Sequence, residues 1–308
     1  MASQAIPRRS ATAEAVERRL RGGGVDVASL VVEALLLLSL LVSLGVLLVL
    51  LGDILIRALP VLTERPVDFL TSPLSGRPEN AGIVQGLIGS LMLIVIVIVL
   101  SLPFGVGAAI YLEEYAADSV LARFIRTNIR NLAGVPAIVF GLLGLAVFVT
   151  LLGLGNTLIA GGLTLAVLVL PVVVITTSEA LRAVPDAIRE AAFGVGATRW
   201  ETVRSHVLPY AAPGILTGTI LSLARAFGET APIIMVGAIV GTFSFVGGPI
   251  DQLFERFTAL PTIVYNWSRE PQAEFRALTA AAIVVLLVVI LLVNAIAIWL
   301  RNRFERRW

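Results

Sequence analysis

Three hundred and eight residues would fill two soluble domains, but the composition excludes a soluble chain. The residues are 57% apolar and only 14% charged, with mean hydropathy +0.95, against roughly 45–50% apolar and about 25% charged in soluble domains. There is no cysteine, one histidine, and no lysine among the 23 basic residues. Disulfides, thiolate metal sites, His-rich metal sites, Schiff-base chemistry and a Walker A phosphate loop are therefore all excluded, and a net charge of +2 does not suggest nucleic acid.

In chain order, residues 1–28 are polar and rich in Ala, Arg and Gly, and are expected to form a basic arm beside the membrane. The Gly22-Gly23-Gly24 run in it reads as a hinge. Residues 29–308 are expected to form one transmembrane domain. Six stretches reach the roughly 20 apolar residues that cross a bilayer core as a helix: 30–56, 83–112, 132–152, 158–178, 210–239 and 277–300. The first is too long for a signal-peptide apolar region and is expected to be retained. No barrel-like alternation is present, so the expected fold is all-α with six transmembrane helices. Small-xxx-small pairs, Gly82/Gly86, Gly214/Gly218 and Gly237/Gly241, suit close helix approach.

Arginine sets the expected orientation. With the N-terminus inside, sixteen arginines fall on inner segments and six on outer loops, and Arg225 lies within a span. By the positive-inside rule both termini are expected in the cytoplasm. Glu113 and Glu114, at the end of the second span, are read as solvated.

The inner loop 179–209 carries the clearest pattern. Pro185 and Asp186 suit a first helical turn, Gly194 and Gly196 interrupt that helix, and Thr198 with Glu201 makes a T-x-x-E capping box for a second short one. Pro209 marks the expected entry to span five. Ala187, Ile188, Ala191, Ala192 and Val195 leave an apolar surface outside the lipid, which wants a partner.

Span five contains the only mid-span charges, Arg225 and Glu229, one helical turn apart. A charge at the bilayer centre costs about 2.5–3.5 kcal/mol on insertion scales, so the two must face protein or water. Either they are an ion pair that fixes helix registry, or they line an anion pathway. Arginine suits the second role because its fork of donors matches two phosphate oxygens.

Four stretches of residues resemble a known family. Glu190-Ala191-Ala192, with Gly196 and Ala197 and the closing Leu208-Pro209, is similar to the EAA loop of ABC importer permeases. His206 stands where that pattern usually has isoleucine, and is read as a surface or interface residue. The strings from Ala224 to Pro232 (Ala-Arg-Ala-Phe-Gly-Glu-Thr-Ala-Pro) and from Gly134 to Leu142 (Gly-Val-Pro-Ala-Ile-Val-Phe-Gly-Leu) are similar to those of permeases in phosphate ABC importers. The outer stretch from Phe257 to Trp267 looks like the A-type (PstA-type) permease. The resemblance covers nearly all of the chain beyond residue 28.

This resemblance implies a type I (MetI-like) permease that conducts inorganic phosphate inward across a prokaryotic plasma membrane by alternating access. It implies a C-type sister permease, two cytoplasmic ATP-binding subunits that hold ATP and Mg, and an extracytoplasmic phosphate-binding protein, with no cofactor in this chain. Glu190, Ala191, Ala192, Gly196 and Ala197 would couple to the ATPase, and Arg225 and Glu229 would line the substrate path. The outer loops 57–82 and 240–275 would suit docking of the binding protein, although Tyr265 and Trp267 also fit plain interfacial anchoring. A permease for sulfate, molybdate or phosphonate, an ion-coupled anion carrier, and a membrane sensor of phosphate are the competing readings. The EAA loop and the lack of an inverted repeat argue against the carrier.

Overall fold

The computed structural model describes residues 27–117, 119–238, 248 and 250–304. Among these every regular element is helical, as lipid requires of a chain whose backbone must bond to itself. Five helices are long and apolar enough to cross a membrane, and six if one bent pair counts as a span. The chain is a multi-pass membrane protein. Most of the expected N-terminal arm and Gly241 lie outside the described residues.

The chain divides into two units, residues 1–53 and 54–308. In the first, the described residues are the opening part of α1 (Val27–Glu64). Its Leu35, Leu40 and Leu47 are all exposed, and a helix that is apolar all round suits a membrane setting.

The second unit begins with the end of α1 and the short α2 (Pro66–Thr71). Next comes α3 (Val84–Ile110), which runs on through a π-helical turn at Tyr111–Tyr115. Then α4 (Val120–Ala133) meets α5 (Ala137–Gly144), itself extended by a π-helical stretch Leu145–Leu151, at a bend of 103°. After α6 (Leu158–Arg182) come α7 (Asp186–Gly194) and α8 (Arg199–Thr202). A π-helical turn Val203–Val207 carries α8 into α9 (Leu208–Gly228), followed by α10 (Ala231–Met235), α11 (Leu260–Trp267) and α12 (Glu274–Phe304).

At the centre of this unit is α6. Val169 and Val173 pack with Leu93 and Val97 of α3, Leu223 of α9 and Ile233 of α10 in one buried cluster. The Gly214/Gly218 pair does bring helices close: it faces Ala180 and Thr176 of α6, leaving no room for a β-carbon at Gly218.

Two expected spans are displaced, for identifiable reasons. The third starts at Ala137 rather than 132, because Pro136 disfavours helical geometry at Val135 and the chain turns there. The preceding α4 is amphipathic rather than spanning, with Arg123 and Arg130 beside exposed Leu121 and Ile125. The fifth ends at Gly228 rather than 239, since Pro232 has no N–H for the Gly228 carbonyl and its ring would clash with it. At the other end the helix does not begin at Pro209: it is continuous from Arg199 to Gly228, and the π-helical turn just before the proline accommodates its missing donor.

Candidate functional site

The loop between α6 and α9 is built as its sequence suggests and extends further. Pro185 is the N-cap of α7 and Asp186 opens its first turn. At the other end, Gly196 N–H donates to the Phe193 carbonyl (2.9 Å) and Ala197 N–H to the Ala192 carbonyl (3.0 Å), the paired bonds of a Schellman close. That close needs a left-handed residue, and Gly196 has φ +85°. Thr198 then accepts from Glu201 N–H (3.3 Å) while Glu201 accepts from Thr198 N–H (2.8 Å), completing the capping box.

Of the expected coupling residues, Glu190, Ala191 and Gly196 are exposed, Ala197 is half-buried, and Ala192 is buried. Around them Val195 is 85% exposed, and Phe193 and Trp200 stand out as well. His206 is also exposed. Ile188 turns inward against the buried cluster that includes Leu181, Val184 and Val207.

Directly beneath α7 lies a charged cluster that sequence reading missed. Glu113 and Glu114 are not solvated: each side chain is only 9% exposed and ion-paired. Glu113 receives both arms of Arg182 (2.7 and 2.9 Å) and lies 3.7 Å from Arg126 Nε of α4. Glu114 receives Arg189 Nη2 at 2.8 Å. Arg189 also donates to the carbonyls of Leu181 (2.9 Å) and Val184 (2.8 Å), at the end of α6, and pairs with Asp186. The hydrogen bonds that Arg189 donates to Glu114 raise its pKa above arginine's usual value, against the opposing effect of burial. Arg199 sits over the Tyr115 ring at 5.9 Å. The only hint in the sequence is an acidic doublet at the end of a packed span, where adjacent like charges need partners.

Arg225 and Glu229 are paired, Nε to Oε1 at 3.3 Å, but not as two residues of one helix. Arg225 is in the last turn of α9, and Glu229 is the extended residue after it. Arg225 is 53% exposed and Glu229 21%. Arg225 lies sixteen positions beyond Pro209, about 24 Å of helix, so the pair stands at the end of α9 away from the inner loop. Glu229 borders a small apolar cavity with Ser90, Leu93, Phe227 and Ile233. The segment after the α9 break packs on α5: Gly141 meets Pro232 and Met235 of α10, and Asn156 donates to the Val236 carbonyl (2.8 Å).

In the stretch resembling A-type permeases, Trp267 is 3% exposed between Phe69 and Phe275, with centroids 6.5 and 5.7 Å away. It is a core residue, neither anchor nor docking contact. Tyr265 is partly exposed and accepts from Arg269 at 2.8 Å. Among the described residues no group of His, Asp and Glu is arranged to hold a metal ion.

Residues 101–308 match the family described as the binding-protein-dependent transport system inner membrane component. The chain belongs to that family. The permease is 34% identical over 250 residues to the probable ABC transporter permease protein YqgI of Bacillus subtilis, covering 78% of this chain and 84% of that one. It is 34% identical over 251 residues to the phosphate transport system permease protein PstA of Mycobacterium leprae, covering 80% of each. The PstA of Xylella fastidiosa strain Temecula1 is 31% identical over 241 residues, covering 77% and 81%. Such relatives bear out the resemblance to phosphate-type permeases.

The permease has the type I importer fold. An inward-facing structure of the MetNI methionine ABC transporter superposes with TM-score 0.56 at 20% identity, covering 73% of this chain and 95% of that one. A bacterial alginate ABC transporter bound to its pentasaccharide-loaded periplasmic protein gives 0.68 at 14%, covering 91% and 96%.

Proposed function

We propose that the permease is the A-type subunit of an ATP-driven importer of inorganic phosphate in a prokaryotic plasma membrane. It forms the translocation path with a C-type sister permease, receives phosphate from an extracytoplasmic binding protein, and is driven by two cytoplasmic ATP-binding subunits that hold ATP and Mg. The observation that carries the phosphate reading is its likeness, over about three quarters of the chain, to relatives named for phosphate transport. Both termini and the loop between α6 and α9 face the cytoplasm, consistent with the arginine distribution.

In this reading α7 is the docking helix. Glu190, Ala191, Ala192, Gly196 and Ala197 shape it, and exposed Phe193 and Val195 supply apolar contact to the ATPase. Arg225 and Glu229 line the phosphate path, where the half-exposed guanidinium offers donors to phosphate oxygens. Glu229 keeps that arginine from holding the anion permanently, since import requires release as well as capture.

Vesicles holding the assembled complex, supplied with loaded binding protein and ATP, should import phosphate in preference to sulfate or molybdate. Val195→Asp, a charge placed on the exposed apolar face, should leave insertion intact and abolish co-purification of the ATPase. Undiminished co-purification and uptake in Val195→Asp would remove α7 from the docking role. Uptake of sulfate or molybdate in preference to phosphate would replace the substrate.

A further inference from the structure

The paired arginines and glutamates beneath α7 have no part in the reading so far. We infer that Glu113, Glu114, Arg182 and Arg189 are positioning residues that form the rigid link by which movement of α7 reaches α3 and α6. This rests on the reading of α7 as the ATPase-docking helix.

The apolar contacts of α7 are too few to transmit force alone. The helix has nine residues, of which only Ala192 is fully buried, with Ile188 half-buried against Leu181 and Val207. The polar contacts are stronger and more directional. Arg189 holds α7 at once to the Leu181 carbonyl in the last turn of α6, to the Val184 carbonyl just beyond that helix, and to Glu114 on the π-helical turn that extends α3. Arg182, the last residue of α6, grips Glu113 with a two-armed contact whose planar fork tolerates little rotation.

Both acids are neighbours on the π-helical turn Tyr111–Tyr115, so two spans and the docking helix converge on one turn of α3. Arg126 adds α4 to the same carboxylate. Breaking the largely buried Arg189–Glu114 pair leaves an uncompensated charge, so the pieces move together. A displacement of α7 is delivered to the ends of α3 and α6 instead of being absorbed in the loop.

The test compares Glu114→Gln, Arg189→Gln and the double variant in the assembled complex, reading phosphate imported per ATP hydrolysed in vesicles. The link predicts that each single variant lowers this ratio at least five-fold with complex yield kept. The double should be no worse than the poorer single, because the two residues act as one unit. A ratio equal to wild type in either single variant, or a double that multiplies the two losses, overturns the link. A wild-type chain that retains no ATPase overturns the docking reading, and the link falls with it. Hydrogen exchange on the permease in nanodiscs provides a readout independent of assembly. Glu114→Gln should speed exchange across α7 at least ten-fold, and unchanged exchange there counts decisively against the link.

Discussion

Gly141 of α5 packs directly on Pro232 of α10: a β-carbon at Gly141 would stand 2.8 Å from the Pro232 Cα and 3.0 Å from the Met235 Cβ. The two strings that carry the phosphate-permease resemblance therefore meet in space, and each contains a break in a membrane helix. Gly141→Leu must displace backbone as well as side chain, and overpacking of this kind costs about 1–3 kcal/mol. It should lower the melting temperature of the purified permease and reduce uptake in vesicles. A melting curve that matches wild type would mean that α5 and α10 separate easily.

The two glycines that end α7 should respond differently. Gly196 has φ +85° and open space around its Cβ position, so Gly196→Ala meets backbone strain alone, about 1–2 kcal/mol. Gly194 is the last helical residue, also with open space, and Gly194→Ala should be neutral or stabilise by up to about 1 kcal/mol. ATPase co-purification is therefore expected to fall with Gly196→Ala and hold with Gly194→Ala. Equal behaviour of the two would show that the Schellman close does not shape the docking surface.

Trp267→Ala should act on stability before it acts on binding. The ring is buried between Phe69 and Phe275, and emptying such a site costs about 3–5 kcal/mol. Thermal melting and purified yield should drop sharply. If stability is unchanged and only the affinity for the binding protein falls, the residue belongs to a docking surface after all.

Composition and apolar runs made the helical fold legible, because a bilayer leaves few alternatives. Local signals did equally well: the capping box at Thr198 and Glu201 and the turn at Gly196 depend on residues within a few positions of each other. What failed was long-range or depended on proline. Glu113 reaches Arg182 across 69 residues and Glu114 reaches Arg189 across 75, so only the folded chain reveals their pairing. A run of hydropathy extends unbroken across Pro136 and Pro232, whereas the helical backbone does not. Trp267 was misjudged because an aromatic near a span end has the same sequence signature whether it faces lipid headgroups or packs inward.

Arg225 and Glu229 pose the sharpest test, since their separation of 3.3 Å suits both a structural ion pair and a substrate site. Arg225→Gln should abolish phosphate uptake with the complex still assembled, but that result alone is ambiguous. It leaves Glu229, which is only 21% exposed, without its cation, and an unpaired buried carboxylate destabilises the fold until it takes up a proton. Arg225→Gln/Glu229→Gln removes both charges at nearly constant size. If the pair only fixes the end of α9, the double variant should recover assembly and uptake together. An arginine on the phosphate path predicts recovered assembly with uptake still at least ten-fold below wild type, because no neutral side chain replaces the donor fork and its charge. Complex yield and vesicle uptake measured on both variants separate these outcomes, and wild-type uptake in the double variant would take Arg225 off the path.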